Sequence, residues 1–120
     1  MEQASKLGQL KFYPLLVVDD CMMAEEREGG KHLVPDPVRF PTPISELVKG
    51  LEGRGLFLGM YTSMGTHTCE GLPASLYHQD EDAATFASWG ITFLKVDTCG
   101  LILSQVRRRS VAMTFFCIVQ

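Results

Sequence analysis

Apolar residues fall along this chain in two styles, short continuous runs and helically spaced singles. Leu15, Leu16, Val17 and Val18 form a continuous run, as expected of a strand buried on both faces of a parallel sheet. Leu56, Phe57, Leu58, Gly59, Met60 and Tyr61 form a second run, and residues 91–96, apolar but for Thr92 and Lys95, read as a third strand. Between the first two, Ile44, Leu47, Val48 and Leu51 recur at i, i+3, i+4 and i+7 behind Thr42 and Pro43. A cap residue, a proline in the first turn and that spacing predict a helix, which Gly53 and Gly55 stop. Asp80, Glu81 and Asp82 put negative charge on the first turn of a second helix, where the dipole favours it, and Ala83, Phe86 and Ala87 carry it to Gly90. Residues 1–10 read as the end of an earlier helix. After Gly100 the apolar runs have no clear helix between them.

The connections over residues 21–41 and 62–77 are long, a length usually associated with function or disorder. Asp20, Tyr61 and Asp97 close the three predicted strands at intervals of about forty residues, the size of one βα unit. Polar groups at the ends of successive parallel strands are what a (β/α) barrel gathers on one face. A complete (β/α)8 TIM barrel takes about 250 residues, so a chain of 120 is expected to be a partial barrel. The expected α/β architecture is about three βα units over residues 1–100, a fragment of a larger catalytic domain, with residues 101–120 as a separate tail.

Charge narrows the partners. The formal net charge is -3, with no basic surplus to suggest nucleic acid. The one basic run, Arg107, Arg108 and Arg109, reads as a solvated turn. Residues 1–6 carry no apolar segment of a secretory signal. Residues 111–119 fall far short of the roughly 20 apolar residues of a membrane helix, so no membrane association is expected. The chain has no Asn and hence no N-glycosylation acceptor. Four cysteines, Cys21, Cys69, Cys99 and Cys117, allow three pairings and do not by themselves define a disulfide scaffold.

The ordered motifs are specific as a set. They are Val17-Val18-Asp19-Asp20-Cys21, then Val34-Pro35-Asp36-Pro37-Val38-Arg39-Phe40-Pro41, then Gly55-Leu56-Phe57-Leu58-Gly59-Met60-Tyr61. Gly65-Thr66-His67-Thr68-Cys69-Glu70-Gly71, Asp82-Ala83-Ala84-Thr85-Phe86-Ala87-Ser88-Trp89-Gly90 and Leu94-Lys95-Val96-Asp97-Thr98-Cys99 follow. Over about residues 4–100 this series resembles glycoside hydrolase family twenty-seven, the α-galactosidases and α-N-acetylgalactosaminidases, or melibiases. The resemblance implies a (β/α)8 barrel followed by a β-sandwich, covered here by barrel strands two to four. It implies hydrolysis of terminal α-linked galactose with retention of anomeric configuration, without metal or organic cofactor. It casts Asp97 as the nucleophile, Asp19 and Asp20 as acceptors for the sugar's 6- and 4-hydroxyls, Lys95 and Tyr61 as pocket lining, and Cys69–Cys99 as a disulfide beside the nucleophile. Such enzymes are commonly secreted, lysosomal or vacuolar. The chain departs from the pattern at Met22, where a Trp is usual, at Ser63, often an acid, and at Val17, often an Asn.

A retaining glycosidase needs two carboxyl groups about 5 to 5.5 Å apart, and no Asp or Glu follows Asp97 in this chain. The expected function is therefore the nucleophile half of a retaining α-galactosidase site, inactive alone for want of its acid/base. Alternatives are a non-catalytic sugar- or partner-binding remnant and a truncated product without independent function, and open barrel edges would allow oligomers. Plainer roles stay open for each residue. Asp97 could cap the element after its strand. Lys95 shares its face of the strand, where it would keep Asp97 ionised or form a structural ion pair. Asp19 and Asp20 could make a turn, and Tyr61 could line the barrel. Cys69 and Cys99 could be free thiols; with His67 they match no recognised zinc spacing. His32, His67 and His78 are expected in solvent, and Met60, Met64 and Trp89 in the core or a pocket wall.

Overall fold

The computed structural model describes residues 14–101. Its elements are β1 (Leu15–Val17), α1 (Ile44–Glu52), β2 (Phe57–Ser63), α2 (Gln79–Ser88) and β3 (Phe93–Asp97). The expected N-terminal helix, the arginine run, the apolar tail and Cys117 lie outside the described residues. The three strands form one parallel sheet in the order β1-β2-β3, with Leu15 opposite Phe57, Gly59 opposite Phe93 and Ser63 opposite Asp97.

Period-two alternation sorts the strands into two faces. Leu58, Met60 and Leu94 point to one side and join Ile44, Val48 and Leu51 of α1, Phe86 of α2, and Met22, Met23 and Leu33 in a single buried core. Thr62 shares this side and is satisfied there by the Ser75 hydroxyl at 2.7 Å. The other side carries Leu15, Val17, Phe57, Gly59 and Phe93. Gly59 is tight because a Cβ there would meet the Phe93 ring at 3.0 Å and Val17 Cγ2 at 3.2 Å. Leu15, Phe57 and Phe93 are exposed at 38%, 46% and 45%, so nothing among the described residues covers this end of the face, whereas Tyr61 and Ser63 further along it are buried.

Several expectations are corrected by these contacts. β1 is not buried on both faces: among the described residues it forms a sheet edge, and Leu16 on its helix side is also 47% exposed. β2 runs to Ser63 rather than ending at Tyr61, because β3 continues alongside to Asp97 and supplies hydrogen-bond partners. Thr42 does not cap α1; Pro43 is the N-cap residue and no side chain caps the helix. The stops occur where the glycines predict them. Leu56 N–H bonds Leu51 O and Gly55 N–H bonds Glu52 O, while Ile91 N–H bonds Phe86 O and Gly90 N–H bonds Ala87 O. Both ends are Schellman motifs, whose left-handed residue is Gly55 (φ 76°) or Gly90 (φ 83°).

The long connections are packed. Residues 21–41 fold back on themselves through antiparallel bridges Met23–Pro35 and Glu28–His32, burying Met22, Met23 and Leu33. From this loop Arg27 reaches Asp82 in the first turn of α2. Its two terminal nitrogens meet the two carboxylate oxygens at 2.7 Å each and also bond Lys31 O and Ala74 O at 2.8 Å. Asp82 is fully buried. It is therefore an anchor as well as a helix-dipole charge.

Candidate functional site

The uncovered face becomes polar at the C-terminal ends of its strands. Tyr61 and Lys95 are register partners, as are Ser63 and Asp97 one step further on, and Asp19 and Asp20 follow β1. The parallel register thus brings together Asp19, Asp20, Tyr61, Lys95 and Asp97. Lys95 Nζ donates to Asp19 Oδ2 at 2.8 Å and lies 5.4 Å from the Tyr61 ring centroid. The hydrogen bond from Lys95, then that from the Asp20 backbone, holds the Asp19 carboxyl below its usual range. The same bond is the leading cause that raises Lys95. Both groups are solvent-exposed, so this pair contributes orientation more than stability. The direct partner of Lys95 is accordingly Asp19, while Asp97 acts on it through the longer-range field.

Asp97 is half-buried. Its Oδ2 accepts the Tyr61 hydroxyl at 3.2 Å, and its Oδ1 accepts Thr98 N–H at 2.8 Å. Asp20 spans two loops: Oδ1 accepts Cys21 N–H at 2.8 Å and Oδ2 accepts Glu70 N–H at 3.1 Å. Cys69 and Cys99 form a disulfide with a Cα separation of 5.2 Å, and Cys69 Sγ lies 3.6 Å from Asp97 Oδ2. A bridged sulfur carries no proton, so this is a packing contact. For the same reason Cys69, Asp97 and Cys99, which cluster within 4.8 Å, offer no thiolate to a metal: the two sulfurs are spent on each other. Cys21 is a free cysteine, with φ 77°.

Tyr61 is 4% exposed. Burial first, and then the charges of Asp97 and Asp20, push its phenol from 10.0 up to about 12, since each disfavours a second negative charge. Its neutral form therefore donates to Asp97 throughout the physiological range. The folded state holds the proton more tightly than the unfolded chain. Tyr61 thus contributes stability in full below pH 10.0, and loses it as pH rises toward about 12. Denaturant titrations across that window are expected to show a steeper alkaline loss for the parent chain than for Tyr61→Phe.

Three features of the site escape local pattern. Ser63, singled out above only as a departure from the family pattern, joins the site when the alternation of β2 is carried two residues past Tyr61. The amide of Glu70 on Asp20 and the Arg27–Asp82 pair join residues 50 and 55 positions apart, for which the one-dimensional sequence offers no signal.

A family model described as alpha galactosidase A matches residues 4–114. Human alpha-galactosidase A is 45% identical over 87 residues, 72% of this chain and 20% of that protein. Alpha-galactosidase mel1 of Schizosaccharomyces pombe is 43% identical over 88 residues, again 72% and 20%. Among solved structures, alpha-galactosidase I from Mortierella vinacea superposes with a TM-score of 0.87 at 37% identity, covering 97% of this chain and 31% of that one. The Saccharomyces cerevisiae alpha-galactosidase with raffinose gives 0.85 at 30% identity, covering 97% and 27%. The chain spans about a fifth of the length of these curated relatives, and its three parallel strands with their helices are part of the TIM barrel of such enzymes. With glycosidase relatives in sequence and in structure, the chain belongs to the alpha-galactosidase, or melibiase, family.

Proposed function

We propose that this chain carries the galactose-binding and nucleophile half of a retaining α-galactosidase site and does not by itself turn over substrate. The supporting observation is the gathering of Asp19, Asp20, Tyr61, Lys95 and Asp97 at the ends of three parallel strands. In this role the half-buried Asp97 attacks the anomeric carbon of a terminal α-linked galactose, and the bond to the leaving oxygen breaks. Tyr61 fixes the carboxylate by its hydrogen bond and, staying protonated, adds no competing charge. Asp19, exposed and held by Lys95, and Asp20, half-buried and held by the loop amides, accept sugar hydroxyls. A retaining site needs a second carboxyl about 5 to 5.5 Å from the nucleophile to protonate the leaving oxygen, and residues 98–120 hold no Asp or Glu.

The test is to incubate the purified chain with a chromogenic α-galactoside and to titrate it with galactose by calorimetry, beside Asp97→Asn. Galactose uptake without turnover is the expected result. Turnover that Asp97→Asn abolishes would overturn the claim of incompetence, and absence of galactose binding would overturn the binding role.

A further inference from the structure

We propose that Ser63 is the positioning residue for Asp97: it fixes the exit of β3 through the Cys99 backbone carbonyl, without touching the sugar. The inference rests on the nucleophile role of Asp97 given above. Ser63 is fully buried and is the register partner of Asp97. Its Oγ lies within hydrogen-bond reach of Cys99 O, with Asp97 O at 3.3 Å, and it accepts Gly65 N–H at 3.4 Å. A hydroxyl has one proton to give. Cys99 O, much the nearer, is its acceptor, and Asp97 O is taken instead by Met64 N–H at 2.8 Å.

Four ties therefore fall on three consecutive residues. Asp97 is held by its carbonyl, Thr98 by its amide on Asp97 Oδ1, and Cys99 by its carbonyl on Ser63 and its sulfur on Cys69. The two exit loops meet backbone to backbone. A Cβ on Gly65 would overlap Cys99 O and the Gly100 main chain. In such close quarters a displaced Cys99 carbonyl moves the Asp97 Cα–Cβ direction with it, and with that the carboxylate that Tyr61 meets at 3.2 Å. An ionised acid at position 63 has no proton for Cys99 O and would add a second negative charge beside Asp97. The neutral donor does neither.

The experiment uses the full chain with Ser63→Ala, Ser63→Thr and Ser63→Val. It follows Tyr61 ionisation by NMR of the labelled phenol carbon, and galactose affinity by calorimetry. In Ser63→Ala the Asp97 carboxylate drifts from the phenol, so the Tyr61 midpoint falls from about 12 toward 10.0 while the remainder of the spectrum stays folded. Galactose affinity drops about threefold to tenfold, the effect of one lost hydrogen bond. Ser63→Thr, which keeps the hydroxyl, restores both values. Ser63→Val keeps the bulk of Thr without a proton to give or a charge to add, so it shifts Tyr61 in the same direction as Ala and decides the matter if Ser63→Ala does not fold. An unmoved Tyr61 midpoint in a folded Ala or Val variant would overturn the role of Ser63. A parent chain that fails to bind galactose sinks the proposed function instead, and leaves the Tyr61 measurement to judge Ser63 on its own.

Discussion

Asp82→Ala is expected to lower folding stability by about 3–5 kcal/mol, because it strands a buried guanidinium without its counter-charge. Asp82 is fully buried, and the Arg27 side chain is 8% exposed, so water cannot replace the lost carboxylate. Both nitrogens that met Asp82 also bond loop carbonyls, at Lys31 and Ala74. The substitution therefore loosens residues 21–41, the connection after β2 and the first turn of α2 together. A chain of this size has few kcal/mol to spare. Urea denaturation should show the cooperative transition moved far toward zero denaturant or gone. Replacing both partners, as in Arg27→Met with Asp82→Leu, should recover much of the loss, since a buried pair often exchanges for apolar packing at little net cost. A single-variant loss below about 1 kcal/mol, the range of an exposed pair, would contradict the burial argument.

Opening the Cys69–Cys99 bridge is the second large effect. The bridge closes a loop with a sequence separation of 30, for which chain entropy predicts about 3–4 kcal/mol of stabilisation. The loop contains α2 and β3, so its release frees the element that presents Asp97. Guanidinium denaturation with and without reductant, in a Cys21→Ser/Cys117→Ser background that removes stray thiols, should give this difference. The double variant Cys69→Ala/Cys99→Ala should match the reduced chain. Galactose affinity should fall in parallel, because Cys69 Sγ packs at 3.6 Å against Asp97 Oδ2. Equal stability of the oxidised and reduced chains would show that the loop is held by its packing alone.

Much of this was legible because local chemistry and fold agree. The spacing of Ile44, Val48 and Leu51 marks the buried stripe of α1, all three being in the core. Gly55 and Gly90 sit where only a left-handed residue ends the helix. Lys95 and Asp97 alternate onto one face as period two demands. What failed was whatever depends on a neighbour distant in sequence. Leu15 and Leu16 look like a doubly covered strand, yet burial depends on what packs against them. Asp82 looks like its exposed neighbours Asp80 and Glu81, and nothing local announces Arg27. Lys95 was expected to act directly on Asp97, but Asp19, 76 positions earlier, is its hydrogen-bond partner. Thr62 and Ser63 read as loop because they are polar, although a buried strand end with hydroxyl and carbonyl partners accommodates them.

The parallel register has a kinetic side. Leu15 pairs with Phe57, and Tyr61 with Lys95, so each strand meets its partner only after a whole helix and its loops have been made. At ribosomal speeds of about 5–20 residues per second, the Leu15-Leu16-Val17-Val18 segment spends seconds outside the exit tunnel before a matching edge exists. A nascent chain of this design depends on holdase chaperones during that wait, and slowing translation past residue 20 should increase its co-translational capture by them.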